Sequence, residues 1–166
     1  MKQTAAWSML AVACATGCAN GTLSAQPVTV KALYRSTQCG VDHAEARASH
    51  IPDAVSFARV IERLRRAASS AAIKMPPVDF AQNAALLVQM GQKPTAGYGL
   101  WPEQPVARLR GEVLEVVLDW QSPPPGAMLA QVLTSPCMLI AIPRTGYKTI
   151  RVLDAAGQVR ASTPAN

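Results

Sequence analysis

Residues able to do chemistry are few in this chain, and their spacing is poor. Cys39, Asp42, His43 and His50 lie close together, but C-x3-H-x6-H lacks the paired ligand spacing of zinc motifs. Nothing around Cys39 lowers a thiol pKa, so a Cys/His nucleophilic pair is not supported. There is no G-x-S-x-G, no P-loop and no G-x-G-x-x-G, and Gly97-Tyr98-Gly99 alone carries no phosphate-binding weight. The expectation is therefore no catalytic set, no metal and no cofactor: a protein that is not an enzyme. The charge balance is +6, from 16 Lys and Arg against 10 Asp and Glu, yet the basic residues are scattered and accompanied by few aromatic rings. A dedicated nucleic-acid binder clusters positive charge and interleaves it with stacking rings, so a solvated basic surface is expected instead.

The segment most suggestive of function is Gly91-Gln92-Lys93-Pro94-Thr95-Ala96-Gly97-Tyr98, with Trp101 just beyond it. A strand running into it reaches Pro94, which sets φ, and Gly97, which permits a positive φ, before Tyr98 opens a return strand. Two readings follow. Lys93, Pro94, Thr95, Gly97, Tyr98 and Trp101 form a preorganised tip for a protein partner, because ordering such a loop costs little and aromatic side chains supply contact area. Otherwise the segment is a tight hairpin with Tyr98 in the core.

The N-terminus bears on where such a tip would act. Met1-Lys2 precedes the apolar run Ala5 to Ala15, which falls short of the ~20 residues of a membrane span and reads as the core of a secretory leader over 1–17. Ala15-Thr16-Gly17-Cys18 resembles a bacterial lipobox, in which the cysteine is acylated and becomes the first residue. Cys14 after Ala11-Val12-Ala13 is a second candidate, and cleavage after Leu23-Ser24-Ala25 without lipidation is a third. Residues 18–27 then read as a polar tether, and the lipid as the route to the membrane. In an exported protein Cys39 and Cys137 are the cysteines left to the folded part, and an oxidising compartment favours their pairing over two buried free thiols.

The elements that must position the loop read as follows. At 166 residues, 49% hydrophobic and 16% charged, the sequence has ample material for one core, placed here at 28–160. Val28 to Arg35 suggests a strand, and Ser36 to Gly40 a turn. His43 and His50 fall on a solvated loop before a helix at 53–68, whose Phe57, Val60, Ile61 and Leu64 share one face opposite Arg59, Glu62, Arg63, Arg65 and Arg66. Ala67 to Ala72 prolongs or frays it before Pro76-Pro77. Beyond Val78 the period becomes extended. Ala84 to Met90, Tyr98 to Trp101, Val113 to Trp120, Gln131 to Leu133, Cys137 to Ile142 and Thr149 to Leu153 read as short strands between Gly and Pro clusters, and Ala161 to Asn166 as a frayed end. The fold expected is mainly β (α+β), an antiparallel sandwich or barrel-like domain with one amphipathic helix near the N-terminus.

Several ordered motifs carry a resemblance. Val78-Asp79-Phe80, the Gly91 to Tyr98 loop, Gln121-Ser122-Pro123-Pro124-Pro125-Gly126, Gln131 to Pro136 and Cys137 to Pro143 together resemble the C-terminal domain of the protease complex subunit PrcB family, over roughly 78–154. Ala96 stands where a second glycine is usual, and Cys137 where an aromatic is common. The resemblance implies an exported bacterial lipoprotein of the cell envelope, without catalytic residues, whose partner is an envelope protein such as a protease complex. Lys93 to Tyr98 is also similar to the Pro-Thr loop of chagasin-type cysteine protease inhibitors, whose other two inhibitory loops have no match here. The function expected is thus an envelope protein-binding module that associates with or modulates a protease complex. The alternatives are a structural envelope lipoprotein without a protease partner, and a chagasin-like inhibitor.

Overall fold

The computed structural model describes residues 24–68 and 73–165. The leader, both candidate lipidation cysteines Cys14 and Cys18, and the extension of the helix over 69–72 lie outside the described residues.

Two sheets face one another. One is built from β1 (Gln26–Val28), β5 (Gly99–Arg110), β6 (Val113–Gln121), β8 (Thr149–Leu153) and β9 (Val159–Pro164), in the order β1-β5-β6-β8-β9. The other holds β2 (Lys31–Ser36), β3 (Arg47–Ile51), β4 (Asn83–Gln89) and β7 (Cys137–Pro143), in the order β2-β7-β4-β3. The fold is a mainly β sandwich and not a closed barrel. It is antiparallel throughout except for β6 and β8, which run parallel. The backbone leaving β6 crosses to the opposite sheet as β7 before returning, and only such a crossover makes a parallel neighbour possible.

Alternation along the strands sorts the apolar residues into two layers. Leu86, Val88, Met138 and Ile140 face Leu100, Leu114, Val116, Leu118, Ile150 and Val152 across the sandwich. The intervening residues Ala85, Leu87, Cys137 and Leu139 point to the outer face of the four-stranded sheet, where the helix α1 (Ala54–Ala67) covers them with Ile61 and Leu64. Strands β4 and β7 are therefore buried on both faces, which explains why they read as continuous apolar runs rather than alternating ones.

The helix begins where its sequence signal places it. Asp53 is the N-cap, its Oδ1 accepting from the Ser56 amide at 2.8 Å and its Oδ2 from the Ser56 hydroxyl at 3.0 Å. The serine bonds hold the Asp53 carboxyl below the usual carboxylate range. Phe57 and Val60 pack beside Ile61 and Leu64, and Arg65 and Arg66 occupy the last turn, where the helix dipole favours cations.

Four expectations are corrected. Strand β3 replaces the loop expected before the helix. It pairs with β4, putting His50 opposite Leu86, so His50 is a partly buried strand residue whose ring meets Tyr147 edge-on at 6.2 Å. The C-terminal end is not frayed, because β9 pairs with β8 from Thr149↔Pro164 to Leu153↔Val159. Gln131 to Leu133 forms no strand; Val132 and Leu133 are 46% and 61% exposed, and the Val132 amide turns back to the Ala130 carbonyl at 3.0 Å. Finally, Gln26 and Pro27, read as the end of the tether, belong to β1 and pair with Leu109 and Arg108 of β5.

Strand β5 is also longer than the four residues expected from Tyr98 to Trp101. It passes through the cis Trp101-Pro102 bond, and its ladder with β6 is interrupted between Trp101 and Val106. Proline cannot donate to a ladder, so the prolines fall where pairing lapses, and the strand resumes beyond them.

Candidate functional site

The loop from Gly91 to Tyr98 is not a hairpin. Strand β4 already has β7 and β3 on its two sides, which leaves no edge for β5. The loop therefore passes across the end of the sandwich and enters the other sheet. Gly91 starts the crossing with φ +79°, and a Cβ there would stand 2.3 Å from the Ala44 carbonyl oxygen, so only glycine lets the two backbones meet. The next amide, of Gln92, donates to the His43 carbonyl at 2.7 Å.

The tip is clamped by the segment that precedes β7. The Lys93 amide donates to Thr134 O at 2.8 Å and the Thr134 amide returns a bond to Lys93 O at 2.9 Å. The Thr134 hydroxyl donates to Thr95 O at 3.0 Å, and the Ala96 amide to Ala130 O at 3.1 Å. Gly97, at φ +92°, lies against Pro123 and Leu129. Backbone groups that an isolated loop would leave to water are thus paired, and the tip is preorganised.

The base of this clamp is the disulfide. Cys39 and Cys137 are joined, with Cα atoms 6.0 Å apart and both side chains fully buried beneath the helix. Ser135, two residues before the bridge, binds the same turn from its other side: its hydroxyl accepts from the amides of Cys39 at 2.9 Å and Gly40 at 3.0 Å. With its sulfur bonded, Cys39 has no thiolate to offer a metal, and His43 directs Nδ1 to its neighbour's carbonyl, Glu45 O, at 2.8 Å. Cys39, His43 and His50 are not brought together as ligands, and no group of three or more acidic, His or Cys side chains among the described residues could hold a metal.

Of the residues singled out by sequence, Pro94 and Gly97 are exposed at the tip, and Lys93 and Thr95 are partly buried. Tyr98 packs its ring against the sandwich core, with Lys93 Nζ 5.9 Å from the ring centroid. Trp101 lines a cleft beside the tip together with Gly97 and Tyr98. It is 37% exposed, its indole N–H donates to Gln121 Oε1 at 2.6 Å, and the Arg35 guanidinium carbon lies 3.3 Å from its ring centroid. Sequence reading missed the other half of the rim: Met128 is fully solvent-exposed, with Val132 and Leu133 close to it in sequence. The sequence signal pointed elsewhere, since Gln131 to Leu133 reads as a short strand whose apolar residues would be buried.

Both halves of this rim fall within one family signature. Residues 85–143 match the model of the family described as PrcB C-terminal. This segment, 59 of the 166 residues, is similar to the PrcB C-terminal family. This bears out the resemblance read from the motifs, over the strands β4 to β7 and the two segments between them that build the rim. No curated protein and no solved structure matches the sequence. Around the matched segment the fold adds β1 to β3, the helix and the closing pair β8 and β9. The bridge ties Cys39, outside the matched segment, to Cys137 within it. A buried disulfide of this kind is compatible with an exported protein.

Proposed function

We propose that this protein is a non-enzymatic binding module of the bacterial cell envelope, a lipoprotein acylated at Cys18 that associates with a protease complex and contacts it through the Lys93 to Tyr98 tip and the adjoining Met128 to Leu133 segment. The observation that carries the reading is the coincidence of the PrcB C-terminal match with both segments of the clamped rim. The name of that family relates the domain to a protease complex. The rim has the properties a partner surface needs: a rigid backbone, so that little ordering entropy is lost on contact, and exposed Met128, Val132 and Leu133 to bury. The bridge suits an oxidising compartment, and acylation would hold the module at a membrane surface, where no helix among the described residues is long and apolar enough to span.

The test is crosslinking in native envelopes followed by identification of the captured proteins, with the unaltered protein beside Met128→Asp and Leu133→Arg. Both side chains are exposed, so each variant should change unfolding stability by no more than about 0.5 kcal/mol. Recovery of protease subunits by the unaltered protein and its loss in the folded variants supports the reading. Equal recovery of those subunits by all three proteins, or capture devoid of protease subunits, refutes it.

A further inference from the structure

The sandwich is open along one edge. Strand β2 is the outermost strand of its sheet, and β1 covers β5 only at Ala107, Arg108 and Leu109, so the first residues of β5 face β2 without a ladder between them. A cleft of about 440 Å³ opens there, lined by Arg35, Thr37, Tyr98, Trp101 and Gln121 among others. Arg35 supplies the charge of this lining, which contains no carboxylate among its described residues.

The arrangement of Arg35 is chemically incomplete. Its guanidinium is stacked on Trp101, whose ring the Gln121 bond keeps in place, yet Nη1 is buried and meets no hydrogen-bond acceptor. A cation–π stack satisfies the face of a guanidinium, not its N–H groups, and a buried donor without an acceptor is costly. The acceptor that fits a planar fork of donors best is another planar, charged group. An acceptor entering the cleft mouth would draw the fork partly off the indole and satisfy it there, at the small cost of part of the stack.

We propose that this cleft binds a carboxylate of a protein partner, with Arg35 as its anchor and Trp101 as the wall that holds Arg35 ready. The inference deepens the reading of the tip as a partner contact and rests on it, since Gly97 and Tyr98 belong to both surfaces. An aspartate or glutamate residue and a free C-terminus offer the same group, and the probes separate them.

The experiment follows the Trp101 indole N–H resonance, assigned by Trp101→Phe, during titration of the full-length protein with three peptides. These are acetyl-Gly-Asp-Gly-amide, acetyl-Gly-Gly-Gly with a free C-terminal carboxylate, and the neutral acetyl-Gly-Asn-Gly-amide. A saturable shift at millimolar concentration with one or both carboxylates and none with the neutral peptide is expected, and the stronger of the two names the source. Arg35→Gln should weaken the response at least tenfold. Arg35→Lys, which keeps the charge and the aliphatic stem but loses the fork, should weaken it several-fold, and it serves if the glutamine variant does not fold. No shift with either carboxylate, an equal shift with the neutral peptide, or an undiminished response in the folded arginine variants overturns the proposal. Silent peptides together with protease capture that depends on Leu133 would remove the cleft and leave the rim in place.

Discussion

Reducing the Cys39–Cys137 bond acts, in the chain-entropy account, mainly by freeing the unfolded polypeptide. The bridged residues are 98 positions apart, and closing a loop of that length removes about 4.7 kcal/mol of denatured-state entropy at 25 °C. For a domain whose whole stability is of the order of 5–15 kcal/mol, the reduced form would be left close to marginal. With a urea m-value of about 1.5–2 kcal/mol/M, the loss corresponds to a fall in midpoint of roughly 2.4–3.1 M. The measurement is urea unfolding followed by circular dichroism, with and without a phosphine reductant, the thiol count at each condition being fixed by alkylation and intact mass. Without reductant, neither Cys39 nor Cys137 should take up label. A midpoint that moves by less than about 0.5 M once both thiols are shown to be free would refute the reasoning. It would mean that the reduced denatured state is already compact enough for the crosslink to remove little entropy from it. Cys39→Ala with Cys137→Ala should be less stable again than the reduced protein, because both sulfurs are fully buried and their removal leaves space under the helix.

Two further outcomes test the parts that position the rim. Gly91→Ala places a methyl 2.3 Å from Ala44 O and 2.6 Å from Glu45 O at a positive φ, and should lose at least about 3 kcal/mol by denaturant unfolding. Gly126→Ala, also at positive φ but with nothing within 4 Å of the added carbon, should lose only about 1–2 kcal/mol, and similar losses in the two would refute the close approach. Because the Ser56 bonds lower the Asp53 pKa, the ionised cap stabilises the fold above the usual carboxylate range and that contribution fades as the pH falls through the lowered value. Helix ellipticity and unfolding midpoint should therefore drop on acidification from pH 5 toward pH 2.5 by less in Asp53→Asn than in the unaltered protein, and parallel profiles would exclude the cap as a source.

How much of this was legible in the residues differs from element to element. The helix could be read because its signals are local: Asp53 three residues before Ser56, then Phe57, Val60, Ile61 and Leu64 at helical spacing. Strands β4, β6, β7 and β8 were legible because their apolar content demands burial whatever their neighbours are, and the pairing of Cys39 with Cys137 followed from there being few cysteines to choose among. Strand β3 escaped notice because Arg47, Ala48, Ser49 and His50 carry little apolar area, and they are extended only because β4 offers them an edge.

The candidate site was legible in half. Pro94 and Gly97 mark a rigid turn in any context, but a turn between two extended runs looks the same whether the runs pair or diverge. It was the occupation of both edges of β4 by β3 and β7 that sent β5 to the other sheet. The same crossing brought Thr134 to Lys93 and Arg35 to Trp101, residues too distant in sequence for any periodicity to connect. Val132 and Leu133 read as part of a strand, yet they join neither sheet and stand in water. Composition and spacing determine which residues need burial and which turns are rigid, because those properties belong to a few neighbouring residues. Which strand lies beside which is decided by competition for hydrogen-bonding edges across the whole protein, and here that competition assembled the rim, the bridge beneath it and the cleft at its side.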